Sequence, residues 1–198
     1  MAERRCQTIS VARLPDVLSN DELELRSISL TDFDAAFGAV KESLPEVRRW
    51  LWWAQVPLDE GSYGEFIRHQ SQNFADDTEW RYFIFDRSSG HLVGGCSVEL
   101  ITSSESTRTN LGYWVRTTCT GRGIATQTAK ILTECAFEYL PEITLVEIGM
   151  DVANVASARV PEKLGFSLVG EFDKSLRAPG HTGRGLNWVM RRVDWERG

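Results

Sequence analysis

The 198-residue chain has few cysteines and histidines, and neither kind is patterned. Cys6, Cys96, Cys119 and Cys135 form no CxxC and no paired spacing, and His69, His91 and His181 are equally dispersed. This argues against a structural zinc site or a disulfide scaffold, and isolated thiols fit a reducing, cytoplasmic compartment. Long apolar runs are also missing, so no segment is expected to span or enter a membrane. The charged start Met-Ala-Glu-Arg-Arg-Cys-Gln has no apolar stretch behind it, which argues against a signal peptide. Basic residues are the minority charge: 22 Lys and Arg against 28 Asp and Glu leave a formal net charge of −6. Broad, direct nucleic-acid binding is therefore not expected, and an anionic ligand would need a local site rather than the field of the whole molecule.

What is present is an ordinary globular balance, with 42% hydrophobic and 25% charged residues. The length suits one domain with a substantial core. Residues 1–20 are weakly patterned and read as a lead-in, with a single domain over 21–195. Residues 23–28 alternate as a first strand. Thr31 and Asp32 can cap a helix carrying Phe33, Ala36, Phe37 and Val40 on one face. Pro45 suits the first turn of a second helix bearing Val47, Trp50 and Leu51, and a third helix covers about 63–74 after the breaks at Pro57 and Gly61. Strands at 81–85 and 91–101 flank a turn, and a polar loop over 103–109 leads to a strand at 110–115. Ile124, Ile131, Leu132, Cys135, Ala136 and Tyr139 form a helical stripe that Pro141 stops. A strand at 144–152, a helix near 155–164 ended by Gly165, and strands near 167–174 and 186–193 complete an α/β order with a mixed sheet.

Two short motifs carry chemistry. Thr120-Gly121-Arg122-Gly123-Ile124-Ala125 lies between a strand and an amphipathic helix. Unpaired N–H groups at a helix start converge on an anion, and Arg122 adds a positive charge, so the turn reads as a phosphate cradle. The plain alternative is two glycines shaping a tight turn. About thirty residues later Asn154 ends a strand and Ser157 opens a helix. Both are common helix caps, and that role competes with one for Asn154 in hydrogen-bonding an amide-bearing cofactor arm. Together the motifs point to an enzyme holding a long phosphorylated cofactor between two parallel strands.

In combination the segment resembles the Gcn5-related N-acetyltransferases (GNAT), and the whole chain is similar to their RimJ/RimL-like branch. Thr120-x-x-Gly123-x-Ala125 matches the acetyl-CoA signature Q/R-x-x-G-x-G/A, and Asn154-x-x-Ser157…Glu162-Lys-Leu-Gly-Phe166 matches a later helix. Gly112-Tyr113-Trp114 and Leu23-Glu-Leu-Arg26 match the branch's strands. The resemblance implies a mixed, mostly antiparallel sheet with a splayed parallel strand pair and flanking helices. It also implies acetyl transfer from acetyl-CoA, as co-substrate and without a metal, to a primary amine. The backbone of Trp114 and Val115 would pair with the pantetheine arm, and Gly121, Arg122, Gly123, Ile124, Ala125 and Thr126 would line the pyrophosphate. Asn154 would touch the pantetheine, and an N–H near Val115 would polarise the thioester carbonyl. Such a donor is typically worth ~3 kcal/mol of barrier.

This sequence departs from the family pattern at three positions. Thr120 stands where the signature prefers Gln or Arg. Pro161 stands where many members place a tyrosine acid, and Gly149 where some place a basic glutamate. The resemblance then implies Ser157 as the acid toward coenzyme A. Pro161 should also kink or delay its helix, because it has no N–H for the Ser157 carbonyl. Glu99, Glu147 and Asp151 are the open candidates for the base.

Trp50-Leu51-Trp52-Trp53 falls where this superfamily builds its acceptor site. Trp50 and Leu51 read as core or a dimer interface, which leaves a homodimer open. Two further adjacent tryptophans cannot both point inward, so Trp52 and Trp53 are the substrate-binding candidates. His181 reads as a surface residue. The acceptor is expected to be a protein N-terminal α-amine. A small-molecule amine, such as an antibiotic or aminoacyl-nucleotide, and a non-catalytic acyl-CoA-binding role are the alternatives.

Overall fold

The computed structural model describes residues 13–77, 79–102 and 107–197. Its first strand lies inside the expected lead-in: Val17–Ser19 (β1) pairs antiparallel with Leu23–Ser27 (β2), and Leu14 and Leu18 are buried in the core. Residues 1–12 lie outside the described part. β2 alternates buried leucines with half-exposed Glu24 and Arg26, the pattern of a strand with one face on a core.

Helix α1, Phe33–Val47, runs through Pro45 rather than restarting there. Pro45 falls in the last turn, where its missing N–H costs only one bond, to the carbonyl of exposed Lys41. The expected second helix is therefore absent. Tight bonds from Arg49 N to Glu46 O (3.2 Å) and Trp50 N to Val47 O (3.1 Å) end α1. A 3-10 turn, Trp52–Gln55, follows. Helix α2, Glu60–Ala75, starts at an Asp59 cap that accepts from Ser62 N at 2.9 Å, with Gly61 inside its first turn.

Strands β3 (Trp80–Asp86), β4 (Leu92–Thr102) and β5 (Thr107–Val115) form an antiparallel meander. β5 begins earlier than the expected loop allowed, and residues 103–106 of that loop lie outside the described part. Helix α3 (Ile124–Tyr139), β6 (Leu145–Asp151), α4 (Val155–Lys163), β7 (Ser167–Asp173) and β8 (Arg184–Arg191) follow. A four-residue helix, α5 (Arg192–Trp195), was not foreseen. It begins at Arg192, whose guanidinium donates to the carbonyls of Phe137 (2.6 Å), Leu140 (2.9 Å) and Ile143 (3.1 Å), so it satisfies groups left open where α3 ends.

The eight strands lie in the order β1-β2-β3-β4-β5-β6-β8-β7, and every neighbouring pair is antiparallel except β5 with β6. One buried cluster packs α3 against the sheet through Leu111, Ile124, Leu132 and Ile148. A second packs α1 and α2 on the other face through Ala36, Val40, Ile67 and Phe83. The parallel pair is hydrogen-bonded only from Arg108↔Leu145 to Asn110↔Glu147. Beyond that register β5 stays on β4 as far as Gly94↔Val115, and β6 stays on β8 as far as Asp151↔Gly185. Each strand follows its antiparallel partner, and a slot opens between Leu111–Val115 and Ile148–Asp151. This is the expected mixed, mostly antiparallel sheet with a splayed parallel pair.

Candidate active site

The glycine turn stands at the start of α3, beyond the open end of β5. Gly121 and Gly123 have φ of +78° and +79°, a left-handed conformation that a side chain resists. Gly123 caps α3 without a side-chain acceptor, and Gln127 is the residue whose N–H bonds back to it, at 3.0 Å. The N–H groups of Ile124, Ala125 and Thr126 therefore precede the first helical bond and stay available to an anion. Thr120 turns its hydroxyl back to Thr117 O at 2.9 Å instead of outward.

Arg122 is not free. It pairs with Asp86 at 2.7 Å, and the Ser88 hydroxyl, Arg122 and the Ser89 N–H hold the Asp86 carboxyl well below the usual carboxylate range. The 3-10 turn ahead of the glycines, Thr117–Cys119, is fastened to α1. Thr117 N donates to Ser43 Oγ at 3.0 Å, Thr117 Oγ1 to Glu46 at 3.0 Å and Thr118 Oγ1 to Glu42 at 2.7 Å. Arg116 pairs with Glu42, whose carboxyl is pulled down to about 2 by Arg116 and then Thr118. Sequence reasoning missed these anchors. Their only signal is the spacing of Glu42, Ser43 and Glu46 along α1.

Trp114 and Val115 lie on the stretch of β5 that has left β6. Trp114 rests on Gly95, where an added Cβ would stand 2.6 Å from the indole Nε1. Trp53 meets Trp114 edge-on, with ring centroids 6.3 Å apart. Across the slot, Asn154 Oδ1 accepts from Ser157 N at 3.3 Å, a helix cap. α4 starts at Val155 and continues through Pro161, so no late start is needed. Half-buried Ser157 meets the hydroxyl of Tyr113, at 3.3 Å from Oγ and 3.4 Å from its carbonyl oxygen.

The base candidates separate. Glu147 pairs with Arg108 at 3.2 Å. Asp151 is buried, yet its carboxyl is lowered: burial raises it, and the N–H groups of Ala153 and Thr182 with the Thr182 hydroxyl outweigh that. Glu99, exposed on β4 opposite Asn110, is the one of the three that lines the large cleft. At exposed Gly149 a built Cβ would meet only the edge of the Phe172 ring, 4.0 Å away, in ordinary contact.

That cleft, of about 800 Å³, opens on the α1/α2 side. Trp52 and Trp53 line it together with Trp50 and Leu51, which are half-buried walls rather than core because α1 ends before them. Trp52 is the most open of these, 60% exposed. His181 is not a free surface residue: Nε2 lies 2.9 Å from Trp50 O and Nδ1 3.2 Å from Arg177 N. Gly180 N donates to Arg49 O at 2.8 Å, so the β7–β8 loop is fastened to the tryptophan segment. Among the described residues no group of three His, Cys, Asp or Glu is placed to hold a metal ion, and no helix is long and apolar enough to cross a membrane.

The Acetyltransferase (GNAT) domain family matches residues 22–167. A Bacillus subtilis (strain 168) protein named "Putative ribosomal N-acetyltransferase YdaF" is 25% identical over 184 residues, 89% of this chain and 95% of that protein. Among solved structures, the ribosomal L7/L12 α-N-protein acetyltransferase RimL in complex with coenzyme A has a TM-score of 0.79 at 19% identity, covering 90% of this chain and 99% of that one. The microcin C7 self-immunity acetyltransferase MccE, in complex with acetyl-CoA and AMP, has a TM-score of 0.78 at 19% identity, covering 87% and 93%. At these identities the two structures speak for the fold alone. With a family match across well over half its length, the chain belongs to the GNAT family of acetyl-CoA-dependent N-acetyltransferases.

Proposed function

We propose that the protein acetylates a primary amine, the α-amine of a protein N-terminus, by direct attack on acetyl-CoA in a ternary complex. The observation that carries this reading is the slot between β5 and β6, flanked by the uncapped start of α3 and close to an aromatic cleft. A free strand edge suits the amide-bearing pantetheine arm, and the N–H groups of Ile124, Ala125 and Thr126 suit its pyrophosphate. Arg122 would exchange its Asp86 partner for, or share it with, a phosphate oxygen. The thioester would lie at Trp114 and Val115, with an N–H near Val115 polarising its carbonyl.

The neutral amine enters from the cleft, its nitrogen bonds to the carbonyl carbon, and the carbon–sulfur bond breaks. Glu99, through water, takes the proton that the nitrogen sheds. Ser157 Oγ–H keeps its proton and gives a hydrogen bond to the departing thiolate. The thiolate is protonated from water, to which Glu99 returns the proton it took. Asn154 holds the start of α4 and contacts the arm, and Trp52 and Trp53 receive the acceptor. No acyl-cysteine is needed. On this reading the chain acts as one domain in the cytoplasm, residues 21–195 together with the β1 segment that the expected lead-in contributes, and the ribosomal name of the YdaF relative favours a protein acceptor. The tryptophan-lined cleft supports a second reading, a flat small-molecule amine, since such rings stack on planar ligands.

A thiol-release screen with acetyl-CoA separates these readings. Turnover with ribosomal N-terminal peptides is expected. Turnover only with small aromatic amines would move the acceptor to the second reading. Cofactor binding without thiol release on either panel would leave a non-catalytic binding module and overturn the enzyme reading.

A further inference from the structure

Helix α4 contains a backbone acceptor that its own sequence strands. In an α-helix the Ser157 carbonyl would accept from the N–H four residues on, but that residue is Pro161, which has none. A stranded, partly buried carbonyl costs free energy unless another donor reaches it. The donor comes from a different element. Tyr113 Oη lies 3.4 Å from Ser157 O and 3.3 Å from Ser157 Oγ. Alternation along β5 sends Leu111, Tyr113 and Val115 to the α3 side and Trp114 to the other. Tyr113 is held in register by Cys96 on β4 and also borders the large cleft. Its side chain therefore spans from the slot to α4, over the stretch where β5 and β6 have parted.

We propose that Tyr113 is the positioning residue for Ser157: its hydroxyl replaces the backbone donor that Pro161 removes and fixes the Ser157 side chain at the mouth of the slot. The inference rests on the acetyl-transfer reading of that slot. In the resting enzyme Tyr113 donates to the carbonyl or to Oγ. As the carbon–sulfur bond breaks, Ser157 Oγ–H turns to the sulfur and Tyr113 donates to Oγ, which makes the serine a stronger donor. No proton leaves Tyr113. Burial pushes its phenol up to about 12, against the opposing bond to Ser157, so it stays protonated through the neutral range.

The test is a pair of double-mutant cycles on the full chain, read by chemical denaturation and steady-state thiol release. Tyr113→Phe is expected to lower kcat roughly tenfold, the equivalent of one ordinary hydrogen bond lost in the transition state, with KM for acetyl-CoA nearly unchanged. In a Ser157→Ala background the same change is expected to cost nothing further, because Tyr113 acts through the serine. Pro161→Ala restores an N–H to the Ser157 carbonyl, so Tyr113→Phe/Pro161→Ala should recover stability lost in Tyr113→Phe while its kcat stays low. If Tyr113→Phe alone does not fold, the Pro161→Ala pair still carries the kinetic measurement. Unchanged kcat in Tyr113→Phe, or an equal loss with and without Ser157, would overturn the positioning role. If the parent protein releases no thiol with any amine, the acetyl-transfer reading and the positioning role fail together. The stability cycle then still judges the contact, and additive effects of Tyr113→Phe and Pro161→Ala would refute it.

Discussion

Replacing Gly94 with alanine should damage the protein out of proportion to the one carbon it adds. Gly94 pairs with Val115, and a methyl group there would stand 2.3 Å from the Trp114 carbonyl oxygen and 3.2 Å from Val115 Cα. Comfortable contact lies near 3.5 Å, so β5 must retreat by roughly 1 Å. The obstacle is main chain held in a sheet, which cannot rotate aside as a side chain would. Overpacking of this kind costs about 1–3 kcal/mol. At about 2–4 °C per kcal/mol for a domain of this size, Tm should fall by about 2–12 °C. Activity should fall further, because the segment that moves is the one proposed to hold the thioester, and a misplacement near 1 Å can cost on the order of 10²-fold in rate. Gly38 is the control: it is exposed in α1, and an added Cβ meets nothing within 4 Å. Alanine there should stabilise by about 0.5–1 kcal/mol through helix propensity. Calorimetric melting and thiol release on the two variants test the reasoning. A Gly94→Ala protein with the parent's Tm and kcat/KM would refute it.

Glu42 gives a prediction about acid. Its carboxyl is lowered from an ordinary 4.5 to about 2 in the folded protein, so the stability it contributes is complete above 4.5 and lost as pH falls toward 2. Glu42→Gln should flatten that part of the curve of Tm against pH and leave the neutral region's slope unaltered; a curve identical to the parent's would count against the Arg116 anchor. Glu99→Gln should lower kcat/KM by about 10²-fold near neutrality and by less at high pH, where hydroxide can take the proton that the nitrogen sheds after attack. A loss that does not depend on pH would remove Glu99 as the base. A methyl group at Gly185 would stand 2.3–2.8 Å from Phe172 ring atoms, and that ring is 42% exposed and can swing outward. Gly185→Ala should therefore change KM for the amine while KM for acetyl-CoA holds, and a change in the acetyl-CoA value alone would contradict the proposal that the cleft lined by Phe172 takes the acceptor.

Most of the sheet and helix order was legible in the chain because hydrophobic period is a local signal. α3 and β6 show it over seven residues or more, and β3 and β4 show buried apolar runs instead. β1 is three residues long, too short for a period, and what makes it a strand is its partner β2. Pro45 misled because proline favours a first turn, yet it is also tolerated in a last one where little is lost. That one difference moved Trp50 and Leu51 from helix to loop, and so from expected core to cleft wall. His181 likewise could not be placed from its neighbours, since its contact is the carbonyl of Trp50, distant in the chain. The glycine turn was readable because positive φ at Gly121 and Gly123 is a demand that the residue type itself answers. The pairing of Arg122 with Asp86 was not, since the two are brought together only by folding.

The two departures around α4 and β6 have different physical outcomes, and only the one in α4 is met from elsewhere in the fold. Pro161 removes a donor from α4, and a tyrosine from β5 supplies one to the same carbonyl. Gly149 removes a side chain from β6, and there the place stays open, with the Phe172 ring no nearer than 4.0 Å to a built Cβ. At Pro161 the local position lacks a group, and another element brings one to the same place from another direction. A motif compared position by position along the chain registers only the loss. Polar and steric requirements belong to points in space, and any element that reaches the point can meet them. Ser157 with Tyr113 behind it is thus a different arrangement from a tyrosine on the helix, and the non-additivity expected between Tyr113→Phe and Ser157→Ala is its measurable consequence.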